Sequence, residues 1–294
     1  MTPLVLTSSR RQVDAFLSDL MLHLAVVVVI IATEGSAPRA TGTWMAVFAN
    51  RLVGTIGGGH LEMQALALAR EMLLARAMLQ ERATLQAPAE RQASEATAPV
   101  TRRFALGPAL GQCCGGVVQL NFEFAAPADA PAWGARLQTP QVPVALFGGG
   151  HVGLALVHAL TQLPFQVSWT DSRDGVFPDP APAGVHCDHS DPVQAAVPGL
   201  QAQSRVLIMS FSHAEDLDVL AACLLRQRQC ADLPYIGLIG SRTKWTTFRH
   251  RLLARGFTAE ELAHVTCPIG VPGIVGKEPE VIAIAVAAQL LQTL

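Results

Sequence analysis

The tetrapeptide Gly-Gly-Gly-His occurs twice, at Gly57–His60 and Gly148–His151. Each copy follows an apolar, β-branched run and precedes a stretch with helical periodicity. That context restricts the fold more than the glycines do. A glycine-rich turn from strand to helix lets backbone N–H groups approach an anion at the positive end of a helix dipole. The sequence thus holds two candidate phosphate cradles, one in each half. A chain of 294 residues suits about two domains of ~100–200 residues each.

In the first half, a helix precedes Leu24, and Ala25–Ala32 reads as a buried strand. Trp44–Phe48 and Leu52–Ile56 read as strands around an Ala49-Asn50 turn, and His60–Ala83 as a long helix. Gln86–Pro99 lacks periodicity and reads as an exposed loop. Arg102–Leu106 and Val117–Phe124 complete a smaller N-terminal α+β domain over residues 1–125. The proline- and alanine-rich stretch 126–143 reads as a linker. Residues 144–294 alternate strand and helix, the pattern of a Rossmann-like, doubly wound parallel sheet. Its expected strands are Val144–Phe147, Gln166–Thr170, Gly184–Cys187, Arg205–Phe211 and Tyr235–Ile239, and Glu278–Thr293 forms the closing helix.

Gly148, Gly150 and Gly153 satisfy G-x-G-x-x-G between the first strand and helix of that domain. Asp171 lies eighteen residues beyond Gly153, where an acidic residue would bond a ribose hydroxyl. Two roles are open for these glycines: strand–helix packing alone, or a nucleotide or other phosphate-bearing ligand. His151 reads as a polar residue at a helix start. Glu215 and Asp216, after His213, suit a helix N-terminus on dipole grounds. Ser241, Arg242 and Lys244 follow the fifth strand, at the edge where ligands bind in such folds. They serve either a ligand or a helix cap with solvated cations. In the first half, Ser36 and Arg39 add a hydroxyl and a guanidinium to the cradle formed by Gly57, Gly58, Gly59 and His60. Glu62 is the alternative occupant, as a cap of the helix start.

A net charge of −2 with 15% charged residues lacks the basic footprint of a nucleic-acid binder. The apolar runs are too short for a membrane span of ~20 residues, and no secretory signal is read, so a cytoplasmic location is expected. No CxxC pair occurs among the six cysteines, which argues against structural zinc. His186, Asp188 and His189 lack a further ligand and argue weakly for a metal. Cys113 and Cys114 sit in a glycine-rich turn, where a thiol is either exposed and reactive or incidental to the turn. Of 21 basic residues only Lys244 and Lys277 are lysines. In a chain that otherwise uses arginine, this is either chance or a need for a compact ammonium.

Taken together, Glu34–Arg39, Gly54–Glu62, Gly111–Gly116, Phe147–Gly153, Gly237–Lys244 and Pro268–Gly270 resemble the XdhC/CoxI family of accessory proteins in xanthine dehydrogenase maturation. The matching segments run in order through nearly the whole chain. The resemblance implies a non-enzyme, a chaperone that binds molybdenum cofactor as cargo. It holds the cofactor while a cysteine desulfurase exchanges an oxo ligand for sulfur, then inserts it into apo xanthine dehydrogenase. It also implies a homodimer, and a thiolate of Cys113 or Cys114 that contacts molybdenum through the cofactor, a soft-ligand chemistry.

Two other functions compete. An NAD(P)-dependent oxidoreductase would rest on Gly148–Gly153 and Asp171, with His213 as the candidate acid/base. A nucleotide-dependent transferase would use Ser241, Arg242 and Lys244, but the chain has no Gly-Lys-Ser/Thr P-loop.

Overall fold

The computed structural model describes residues 6, 9–85, 98–106, 115–137 and 140–294. The chain divides into two compact units, Met1–Thr139 and Pro140–Leu294.

The first unit contains α1 (Arg10–Leu20), β1 (Ala25–Glu34), β2 (Trp44–Val47), β3 (Leu52–Gly54), α2 (Gly59–Leu85), β4 (Val100–Ala105), β5 (Val117–Ala125) and α3 (Ala130–Arg136). Its sheet runs β3-β2-β1-β5-β4, with every neighbouring pair antiparallel. β1 is central and buried on both faces, which explains its unbroken β-branched run. Val27 and Val29 face a cluster with Phe16, Leu20 and Trp133. Val26, Val28 and Ile30 face Leu61, Ala65 and Ala69 of α2.

The expected linker is largely part of this core. A 3-10 turn, Pro127–Asp129, leads into α3, and Trp133 packs edge-on to Phe16 with ring centroids 5.8 Å apart. Arg136 stacks on Trp133 and pairs with both carboxylate oxygens of Glu123. Two of the prolines that suggest a break, Pro127 and Pro131, stand at helix starts, where the missing N–H costs no hydrogen bond, and Pro143 lies in β6. The expected loop at 86–99 falls outside the described residues up to residue 97.

The second unit contains β6 (Val142–Phe147), α4 (His151–Leu160), β7 (Phe165–Asp171), β8 (Val185–His189), a 3-10 segment (Val193–Gly199), β9 (Arg205–Ile208), α5 (His213–Cys230), β10 (Tyr235–Leu238), α6 (Arg242–Ala254), α7 (Ala259–Ala263), β11 (Val265–Thr266) and α8 (Pro279–Leu291). All its strand pairs are parallel, in the order β8-β7-β6-β9-β10-β11. Counted from β6 this is the 3-2-1-4-5-6 order of doubly wound dinucleotide-binding folds. α4 and α8 cover one face of the sheet. α5, α6 and the 3-10 segment cover the other. The α/β class and its Rossmann-like second half are as the sequence implies. Two details differ. β9 stops at Ile208, because Ser210 and Phe211 turn into the start of α5. A sixth strand, β11, is only two residues long and too short to leave a periodic signal.

Candidate functional site

The sheet order reverses between β6 and β9, and ligands of such folds bind outside the strand ends at that point. Gly148 follows β6 with φ of 125°, and a Cβ there would collide with the carbonyl oxygen of Met209 after β9. A Cβ on Gly153 would collide with the Gly148 carbonyl, which also accepts from Trp169 Nε1 at 2.8 Å. These two glycines are fixed by packing. Gly150 faces open space and caps α4, with exposed His151 in the first helical position.

Asp171 does not present a free carboxylate to the crevice. It is 1% exposed. It accepts from the Gly149 amide at 2.5 Å, and from Arg173 through N, Nε and Nη2, each at 2.9 Å. Burial pushes its pKa up, but the bonds from Arg173 and Gly149 outweigh burial and hold it below the usual value. The open group at this edge is Arg173, whose guanidinium lies 4.6 Å from the ring centroid of Phe211, itself 65% exposed. Glu215 joins the two loops by accepting from Ser172 Oγ at 2.9 Å and from the Phe211 amide at 3.1 Å. Sequence reading passed over Arg173 and Phe211. Their signal was the basic residue two places beyond Asp171 and the apolar residue after β9.

Ser241, Arg242 and Lys244 separate in role. Ser241 Oγ caps α6, accepting from the Lys244 amide at 3.2 Å. Arg242 is exposed. Lys244 is neither solvated nor open to a ligand. Its Nζ donates to Asp216 Oδ2 at 2.5 Å and to the Ile239 carbonyl at 2.8 Å, and both side chains are nearly buried. Asp216 Oδ1 accepts from the Ser210 amide at 2.7 Å. The compact ammonium therefore ties α6 to α5.

In the first unit, three motif segments converge. A Cβ on Gly116 would collide with the Glu34 and Ser36 carbonyls, and one on Gly57, whose φ is 119°, would lie 2.8 Å from Pro38 and 3.2 Å from Arg39. The 34–39 loop is thus held between the Gly57 turn and the glycines that follow the Cys113-Cys114 pair. The cysteines themselves lie outside the described residues. Glu62 occupies the cradle: its Oε2 accepts from Thr55 Oγ1 at 2.5 Å, the Ile56 amide at 2.9 Å and the Gly58 amide at 3.1 Å. The Gly57 amide donates to Thr55 Oγ1. Two of the expected amide donors, Gly57 and Gly58, are therefore engaged. Ser36, Arg39, Gly59 and His60 remain exposed beside them, Gly59 and His60 at the start of α2.

Among the described residues no group of three metal-ligating side chains forms a site. His189 instead contacts the Ser172 carbonyl and Asp174. Burial pushes the Cys223 thiol up to about 12 and Cys267 up to about 11. No helix among the described residues is long and apolar enough to cross a membrane. One cavity of about 420 Å³, lined by Asp19, His23, Arg51 and Leu73, and another of about 380 Å³, lined by Val197, Leu225 and Arg226, lie away from these motifs.

The profile of the XdhC Rossmann domain matches residues 144–290, half of the chain, and that of the XdhC and CoxI family matches residues 23–82. The chain belongs to the XdhC and CoxI family. An uncharacterized protein of Escherichia coli strain K12, YqeB, is 27% identical over 264 residues, covering 90% of this chain and 42% of YqeB. The chain thus spans less than half the length of that relative. A crystal structure from Bacillus halodurans, described as a xanthine dehydrogenase, superimposes with a TM-score of 0.71 over 97% of this chain and 95% of that one. At 20% identity it shows the shared fold. The XdhC Rossmann match includes the crevice around Gly148. The XdhC and CoxI match includes the 34–39 loop and the Gly57 turn.

Proposed function

We propose that this XdhC-family chain is a molybdenum cofactor chaperone that serves xanthine dehydrogenase maturation. It holds the phosphate-bearing pterin dithiolene while a cysteine desulfurase sulfurates it, then delivers it to apo xanthine dehydrogenase. The supporting observation is the convergence of the 34–39 loop, the Gly57 turn and Gly115-Gly116 at one exposed edge of the first unit. With the Ile56 and Gly58 amides committed to Glu62, the cargo phosphate falls to the Arg39 guanidinium, the Ser36 hydroxyl and the free start of α2. A thiolate of Cys113 or Cys114 supplies the soft ligand. The exposed edge suits a carrier, which must release what it binds. The setting is the cytoplasm, where thiols stay reduced. A nucleotide in the crevice of the second unit would meet Arg173 and Phe211.

The test uses the full chain, produced in cells that synthesise the cofactor. Acid and iodine release any bound pterin, which is then read by fluorescence. We expect stoichiometric pterin in the native chain. Arg39→Ala should weaken retention by about tenfold, the scale of one charge-assisted phosphate contact. Replacing both Cys113 and Cys114 by Ser should weaken it as well, and unchanged retention would remove the thiolate from the reading. Protein that emerges empty and takes up no supplied cofactor overturns the proposal.

A further inference from the structure

The larger cavity of the first unit holds about 420 Å³, a volume typical of small-molecule sites. Its walls are mostly apolar, with Leu24, Phe48, Leu73 and Ala77 among them. Leu24 leads into β1 and Phe48 follows β2, two strands that pair Val26 with Val47. The cavity therefore opens where β1 begins. The 34–39 loop lies where β1 ends, ten residues of strand away, or about 30 Å. Leu73 and Ala77, one turn apart on α2, form the wall contributed by that helix.

The polar part of the wall is an ion pair that uses half of each partner. Asp19 stands in the last turn of α1, at the negative end of the helix dipole. Its Oδ1 accepts from Arg51 Nη1 at 2.7 Å. Its Oδ2 is buried and has no partner among the described residues. Arg51, in the turn between β2 and β3, makes no other side-chain bond among those residues. A buried acceptor without a donor is costly, and a carboxylate at a helix C-terminus is disfavoured, so neither feature serves the fold. Together they set one idle acceptor beside idle guanidinium donors in an otherwise apolar wall. The χ2 torsion of aspartate is soft, so a small turn presents Oδ2 to the cavity while Oδ1 keeps Arg51.

That edge is complementary to the cis amide of a lactam ring. Such a ring carries N–H and C=O side by side. The N–H suits Asp19 Oδ2, the C=O suits Arg51, and the flat ring suits Phe48 and Leu73. An organic cation would meet the Arg51 charge, and an anion would meet the Asp19 carboxylate. We propose that this cavity is a binding site for a flat, uncharged cyclic amide. The inference does not depend on the cargo.

The probe is 2-pyridone, titrated into the full chain and followed by ligand-observed NMR. A dissociation constant of about 1 mM is expected for a ring of this size. N-methyl-2-pyridone, which keeps the ring and the carbonyl but lacks the N–H, should bind more than about tenfold more weakly. Asp19→Asn can still accept from Arg51 but offers the cavity a donor in place of Oδ2, and should weaken 2-pyridone by about tenfold or more. Ala77→Phe, placed at an exposed position of α2, should fill the cavity and abolish binding. An unchanged circular dichroism spectrum verifies that both variants fold. The proposal is overturned if 2-pyridone does not bind, if its N-methyl analogue binds equally well, or if either variant leaves the affinity unchanged. Benzylamine binding more tightly than 2-pyridone would make this a site for an organic cation, and would overturn it as well.

Discussion

Lys244 shows how much one residue can carry. In a chain that almost always uses arginine, it sits where a point charge on a thin stem is required. Its stem packs on Gly240, where a Cβ would lie 2.6 Å from the lysine Cδ, and its ammonium reaches both Asp216 and the Ile239 carbonyl. Lys244→Met leaves the Asp216 carboxylate buried and unpaired, and should destabilise the chain by about 3–5 kcal/mol in urea unfolding. Adding Asp216→Asn should recover part of that loss, since Asn can still accept from the Ser210 amide. Lys244→Arg keeps the charge but crowds the stem, at a cost of about 1–3 kcal/mol. If Arg proved neutral, the reading of this site would be wrong. Asp171 gives a second residue-level prediction, in pH. Its pKa in the folded chain lies below the ordinary 3.8. The stability it contributes is therefore present above that value and is lost as pH falls below it, through the folded pKa. Asp171→Asn should be less stable at neutral pH and lose less on acidification. Parallel acid curves for the two proteins would sink this account. The sequence placed Asp171 and Lys244 at the correct sheet edge, but not their partners. A carboxylate expected for ribose and an ammonium expected for phosphate are each consumed by a neighbour that only the folded chain supplies.

At the scale of elements, the two glycine-rich turns look alike in sequence and differ in structure. At Gly148 the backbone is squeezed between strands and helix. At Gly57 it wraps the Glu62 carboxylate from the first turn of α2. Glu62→Ala removes the acceptor of two amides and a hydroxyl, and should cost about 1–2 kcal/mol in thermal or urea unfolding. It should also uncover the cradle, so that sulfate raises the melting temperature of the variant more than that of the native chain. No added sulfate response would mean that Glu62 is not what fills the turn. Gly153→Ala, by contrast, drives a methyl group into the Gly148 carbonyl and should destabilise by about 1–3 kcal/mol or more. The sequence revealed central strands such as β1 because buried strands leave continuous β-branched runs, whereas the two-residue β11 left none. It concealed α3 because the same proline ends a helix from inside and opens one from its first turn.

For the whole molecule, the parallel order β8-β7-β6-β9-β10-β11 was legible as a class, from strand–helix alternation and the Gly148 turn, but not as an order. Nothing local fixes which strands become neighbours; the hand of each crossover and the burial of both faces do. Those faces are complete within Pro140–Leu294. One cluster packs Phe147, Ile208, Leu220 and Phe248 between sheet and helices, and the other packs Leu146, Trp169, Val286 and Leu290 on the opposite side. Arg205, at the start of β9, further ties the segment after α8 to the sheet, donating to the Thr293 hydroxyl at 3.1 Å and to its carbonyl at 2.6 Å. A unit with two internal clusters and a continuous six-stranded sheet has what a domain needs to fold alone. A fragment of residues 140–294 should therefore be monomeric and melt in one cooperative transition, with near-ultraviolet dichroism from its buried Trp169. A fragment that binds hydrophobic dye and unfolds without cooperativity would overturn the claim that the unit's own two clusters are enough to hold it folded.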